Sequence, residues 1–157
     1  VRTGVRIGVD VGTVRIGVAR SDAHGLLATP VETVRRGDGD VDRVLAIAAE
    51  LEAIEIIVGL PLALSGARTA STDDATGFAA RVAARAAVPV RLVDERLTTV
   101  SAQAALRSSG RSSKQSRSVI DQVAAVIIVQ HALDLERSAG TPPGVAVETD
   151  HPEGPEA

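Results

Sequence analysis

Cysteine is absent from the 157 residues, so a disulfide framework, a thiol nucleophile and a thiolate zinc site are all excluded. Any bound metal must be held by oxygen or by histidine. The three histidines, His24, His131 and His151, show no short ligand spacing of the HExxH kind, which leaves carboxylates as the better ligand candidates. Tryptophan and tyrosine are missing and phenylalanine occurs once, at Phe78, too few aromatic faces for a platform that stacks single-stranded bases. No apolar run approaches the roughly 18 residues of a membrane span, and no signal pattern opens the chain. No membrane partner is expected, and the expected location is cytoplasmic.

What is present suits one domain with one sizeable core: the length is that of a single domain and 45% of the residues are hydrophobic. The net charge of −3 averages over segments of opposite sign. Residues 81–118 carry eight basic side chains, among them Arg111, Lys114 and Arg117, against only Asp94 and Glu95. Residues 119–157 are correspondingly acidic. Such asymmetry fits a local phosphate-binding face on an acidic protein, although solvated helix faces would read the same way.

From Val5 two β-branched alternating segments flank a Gly-containing turn, predicting a hairpin; a third short strand is predicted at 31–35, after Thr29-Pro30. Helical periodicity follows from Val41, then a continuous apolar strand at 56–60 ended by Pro61, then an Ala-rich helix around Phe78, and a strand at 90–93. A third helix is predicted from Thr98-Thr99 to about 107. Residues 108–118 read as a mobile loop, and a last, strongly apolar helix runs from Val119 to about Arg137. Residues 138–157 hold four prolines, four acids and no Lys or Arg, a composition that predicts a disordered tail behind a domain at 1–137. The order implies an α/β fold with a mixed five-stranded sheet flanked by helices.

Three acids stand out by position. Asp10 ends the first strand where the backbone turns, either as an available carboxylate or as an acid of an Asx-turn. Asp94 and Glu95 follow the strand at 90–93 and must point to opposite sides, so one can face a site while the other caps or pairs. Asp121 lies near the start of an apolar helix, three residues after Ser118; metal ligand and capping box are equally compatible with that spacing. Carboxylates converging from a strand end, a strand-to-helix junction and a helix start are what a two-metal hydrolytic site requires, with ions ~4 Å apart. Oxygen ligands and a phosphate substrate favour Mg²⁺ or Mn²⁺ over zinc.

The segments Gly8-Val-Asp10-Val-Gly-Thr-Val-Arg15-Ile-Gly-Val-Ala-Arg-Ser-Asp22, Val58-Gly-Leu-Pro61, Asp94-Glu95-Arg96-Leu-Thr98-Thr99 and Asp121-Gln-Val-Ala-Ala-Val resemble, in order, the motifs of the YqgF/RuvX family. That family comprises bacterial pre-16S rRNA nuclease and Holliday-junction resolvase-like proteins. The resemblance covers about residues 5–135 and implies a ribonuclease H-like fold and a divalent-metal nuclease. It places Asp10, Glu95 and Asp121 on the family's acidic positions and Arg15 and Thr98 near the phosphate. Maturation of the 5′ end of pre-16S rRNA in ribosome biogenesis is the implied task; cleavage of branched DNA is the alternative, and a homodimer would then supply the two sites that symmetric cutting needs. The segment before Asp121 is Ser/Arg-rich where the family is often Lys-rich.

Two other readings compete. Asp10-Val-Gly-Thr is also similar to the first phosphate-binding hairpin of the actin and sugar-kinase ATPases, but those close two lobes around a nucleotide and need a longer chain. A non-catalytic nucleic-acid-binding module for ribosome assembly would keep the same acids for structure or for metal alone.

Overall fold

The alternation that begins at Val5 folds as two antiparallel strands, β1 (Arg6–Val11) and β2 (Arg15–Ser21), joined at Gly12-Thr13-Val14. The computed structural model describes residues 1–95 and 113–148, with side chains for 1–95 and 121–148. β3 (Ala28–Arg35) pairs antiparallel with β2 and completes the meander. It starts earlier than predicted, with Thr29 and Pro30 inside it beside a bulge opposite Val18/Ala19. β3 is an edge strand, so proline's missing amide need not break the ladder.

Helix α1 (Asp40–Glu50) leads to β4 (Glu55–Leu60), and α2 (Ala70–Ala83) leads to β5 (Val90–Asp94). β4 pairs parallel with both β1 and β5, as strands linked through helices do. The N-terminus of α2 is set by a capping box: Thr69 Oγ1 accepts from the Thr72 amide, and the Thr72 hydroxyl in turn accepts from the Thr69 amide.

Two predictions need correction. The last helix, α3 (Ser113–Ala139), begins six residues before Val119, so residues 113–118 of the expected loop are helical; the rest of that loop and the helix predicted at 98–107 lie outside the described residues. The sheet has six strands, not five, in the order β3-β2-β1-β4-β5-β6. β6 (Val145–Ala146) lies beyond residue 137, in the stretch expected to be tail, and pairs antiparallel with β5. Both its residues are exposed, and it is held by backbone pairing and by Arg91, which donates to the carbonyls of Pro143 and Gly144. Such a strand buries no side chain and leaves no period in the sequence. Residues 149–157 lie outside the described residues.

Period-two alternation divides β1 between two layers. Ile7 and Val9 join Ile16, Val18, Ile56 and Val58 against Val44 and Ile47 of α1 and Phe78 and Val82 of α2. Gly8 and Asp10 face the other way, toward α3, whose Ala125, Ile128, Val129, Ala132 and Leu133 cover Ala19, Ile57 and Val93. Glycine is what lets α3 lie so close. A Cβ on Gly8 would come within 2.1 Å of Val129 Cγ2, and one on Gly17 within 1.8 Å of the Asp121 carbonyl oxygen.

At the opposite end of β1 and β4 the same layer closes on charge. Glu136, near the end of α3, accepts from Arg2 at 2.9 and 3.0 Å and from the buried Arg6 at 3.3 Å, while Arg2 also reaches buried Glu55 at 3.1 Å. The hydrogen bonds from Arg2 hold the Glu136 carboxyl down at about 2. Glu136→Gln strands Arg6 without its counter-ion and is expected to destabilise the fold by about 3 kcal/mol at neutral pH. Because the folded carboxyl titrates below its unfolded value, this stabilisation is complete above the ordinary glutamate range and is lost as pH falls toward 2. Urea unfolding of wild type and variant should therefore differ widely at pH 7 and converge in acid; a gap independent of pH would refute the assignment.

Candidate active site

The carboxyl ends of β1, β4 and β5 lie side by side, and α3 packs on the same face of the sheet, with Asp121 against Gly17 of β2. Asp10 is the penultimate residue of β1, opposite Gly17 of β2. Glu95 follows β5 directly, and its amide donates to the Leu60 carbonyl at the end of β4 (3.2 Å). Val93 packs with Ile57 and Ile128 beneath α3, so two residues further on Glu95 faces that same layer and Asp94 the opposite one. The Glu95 side chain, 6% exposed, fills space that a Cβ on Gly59 would occupy, 1.9 Å from Oε2.

Asp121 lies in the third turn of α3, at the head of the buried stripe that continues through Ala125, Ile128 and Ala132. Since α3 starts at Ser113, Ser118 is inside the helix, and the capping-box alternative for Asp121 falls away. Arg15, the first residue of β2, shares the sheet face of Gly17, and its Nε donates to Asp121 Oδ2 at 3.0 Å.

Electrostatics follow from this convergence. Burial first, then the charges of Glu95 and Asp121 and a hydrogen bond with Glu95, push the Asp10 carboxyl up to about 8. Crowding and burial thus favour the protonated form of Asp10 in the metal-free cluster. Burial also raises Asp121, against which the hydrogen bond and charge of Arg15 act. The donor set, oxygen atoms of crowded and partly buried carboxylates, suits a hard divalent cation. Yet among the described residues no group of three acidic or imidazole side chains is already arranged to hold an ion. Asp121 is turned to Arg15 and would have to exchange that partner to join Asp10 and Glu95.

Four of the residues singled out from sequence, Asp10, Arg15, Glu95 and Asp121, therefore meet at one place. Thr98 and Arg111 lie outside the described residues, and Lys114 and Arg117 are described only as backbone of α3. Sequence reasoning missed the role of Gly17 and Gly59, whose only signal is glycine inside an apolar strand, a mark of close approach.

A meander followed by parallel strands, helices on both faces and acids at adjoining strand ends define a ribonuclease H-like fold. The structure of T. thermophilus RuvC in complex with a Holliday junction substrate superposes with a TM-score of 0.59 at 17% identity, covering 88% of this chain and 99% of that one. The family model described as RuvX, Holliday junction resolvase, matches residues 4–135. This chain belongs to that family. Proteins named "Putative pre-16S rRNA nuclease" are similar along nearly their whole length: 66% identity in Clavibacter michiganensis subsp. michiganensis, covering 93% of this chain and 92% of the relative, and 61% in Leifsonia xyli subsp. xyli, covering 94% and 96%.

Proposed function

We propose that this protein is a divalent-metal-dependent nuclease that hydrolyses phosphodiester bonds in precursor 16S rRNA, with Asp10, Glu95 and Asp121 as its metal-binding carboxylates. The observation that carries the reading is the convergence of these acids at the end of β1, just past β5 and in α3, where burial and the neighbouring carboxylates push Asp10 upward and, among the described residues, Arg15 alone answers Asp121. Such a cluster is costly for the fold alone and is relieved by a cation. A Mg²⁺ or Mn²⁺ ion bound there would activate water for in-line attack and offset charge on the phosphate. The chain's own residues do the rest. Asp10 and Glu95 supply adjoining oxygen donors on rigid strand ends. Arg15, about one third exposed, keeps Asp121 in place in the free protein and offers a guanidinium fork to a non-bridging phosphate oxygen. A chain without cysteine uses no thiol nucleophile.

Junction DNA is the second reading, favoured by the family description and by the fold shared with a junction-bound resolvase. Cleavage of a precursor rRNA fragment and of a four-way DNA junction, side by side with Mg²⁺ and with Mn²⁺, separates the two. Cutting of the RNA alone is expected. Symmetric cutting of the junction by a dimer would transfer the assignment to DNA, and activity undiminished in Asp10→Asn would refute the site.

A further inference from the structure

Arg35 is the last residue of β3 and the register partner of Arg15 on β2. Its face is set by its neighbours. Val34 enters the core beneath α1, whereas Thr33 accepts a hydrogen bond from Gln122 Nε2 of α3 at 2.9 Å, so by alternation Arg35 lies on the α3 side of the sheet with Arg15 and Asp10. Two like charges directly opposite each other on paired strands are unfavourable unless something answers them. Asp121 answers Arg15. Arg36 holds Asp74 through two bonds of 2.8 and 2.9 Å and pairs with Asp40, and Glu32 is held by Arg43 on the other face, so none of these three carboxylates is turned to Arg35. Among the described residues Arg35 is exposed and makes no ion pair.

The sheet thus carries, in lateral order along one edge, the acid of β1, the arginine of β2 and the arginine of β3, with neighbouring strands ~4.8 Å apart. We infer that Arg35 is a phosphate-contacting residue and that the substrate backbone runs from the carboxylate cluster across Arg15 toward the β3 edge of the sheet. A polyanion supplies the counter-charge that Arg35, unlike Arg15, lacks among the described residues, and a contact one strand beyond Arg15 places the phosphate next to the one being cut. This inference rests on the nuclease reading above and adds a direction to it.

The test is binding without cleavage. A labelled RNA hairpin and a short DNA duplex are titrated in EDTA with wild type, Arg35→Gln, Arg35→Lys and Arg15→Gln, between about 50 and 200 mM salt. Arg35→Gln is expected to bind about fivefold more weakly at low salt, with a plot of log affinity against log salt shallower by about one. Arg35→Lys should restore the slope, and the melting temperature should not fall, because the side chain is exposed. An Arg35→Gln variant with wild-type affinity and slope, while Arg15→Gln is impaired, would overturn the path and leave the nuclease reading standing. Failure of the wild type to bind either probe would remove both.

Discussion

Replacing Asp10 by asparagine is expected to abolish cleavage while making the metal-free protein more stable. The two effects have one origin. Asp10 is buried beside Glu95 and Asp121, and its carboxyl is pushed up to about 8 in the folded chain against 3.8 for an ordinary aspartate. A group whose folded value is raised binds its proton more tightly in the native state, so stability is greatest below the unfolded value and falls as pH rises from about 4 to about 8. Asparagine removes the charge and keeps the shape. In EDTA the variant should match wild type near pH 4 and exceed it by about 3 kcal/mol at pH 8, roughly 6–12 °C in Tm for a chain of this size. Saturating Mn²⁺ should raise the melting temperature of wild type far more than that of the variant. An Asp10→Asn protein no more stable than wild type at pH 8 would show that the acids do not crowd one another. Stability bought back by deleting a functional charge is the usual trade at such sites.

Gly17→Ala is expected to harm both fold and activity. An added Cβ would lie 1.8 Å from the Asp121 carbonyl oxygen and 2.2 Å from its carbon, and because those atoms are helix backbone, α3 itself must move. Overpacking against backbone should destabilise by about 3 kcal/mol. The displaced residue is Asp121, and a misplacement of about 1 Å at a reacting centre lowers rate by about 100-fold. Gly77→Ala provides the contrast. Its Cβ would meet only Arg81 Nη1, at 3.9 Å, in the middle of α2, where alanine should stabilise by about 0.5–1 kcal/mol. If thermal melts placed the two variants on the same side of wild type, the close packing of α3 on β2 would be wrong.

Much of this was legible along the chain because it is local. A period of two predicts β1 and β2, a short apolar run closed by Pro61 predicts β4, and helical spacing predicts α1 and the apolar part of α3. The position of Asp10 at a strand end follows from the same alternation. Backbone-only elements were not legible: β6 buries nothing, and the first turns of α3 are polar and serine-rich, so neither carries a hydrophobic period.

The sequence by itself determined β1 to β5, α1, α2 and the apolar part of α3, which residues could chelate a cation and, through ordered motifs, the family. Alternation left Asp94 and Glu95 equivalent and the family motif pointed to Glu95; the tertiary structure supplies the physical reason, because Val93 packs under α3 and Glu95, two residues on, faces the same layer. The tertiary structure alone removed the capping role of Asp121, brought Arg15 to it, and set Arg35 beside Arg15. The raised proton affinity of Asp10 is likewise a property of the fold. Its affinity comes from burial and from two carboxylates remote in sequence, and such through-space terms leave no trace in spacing.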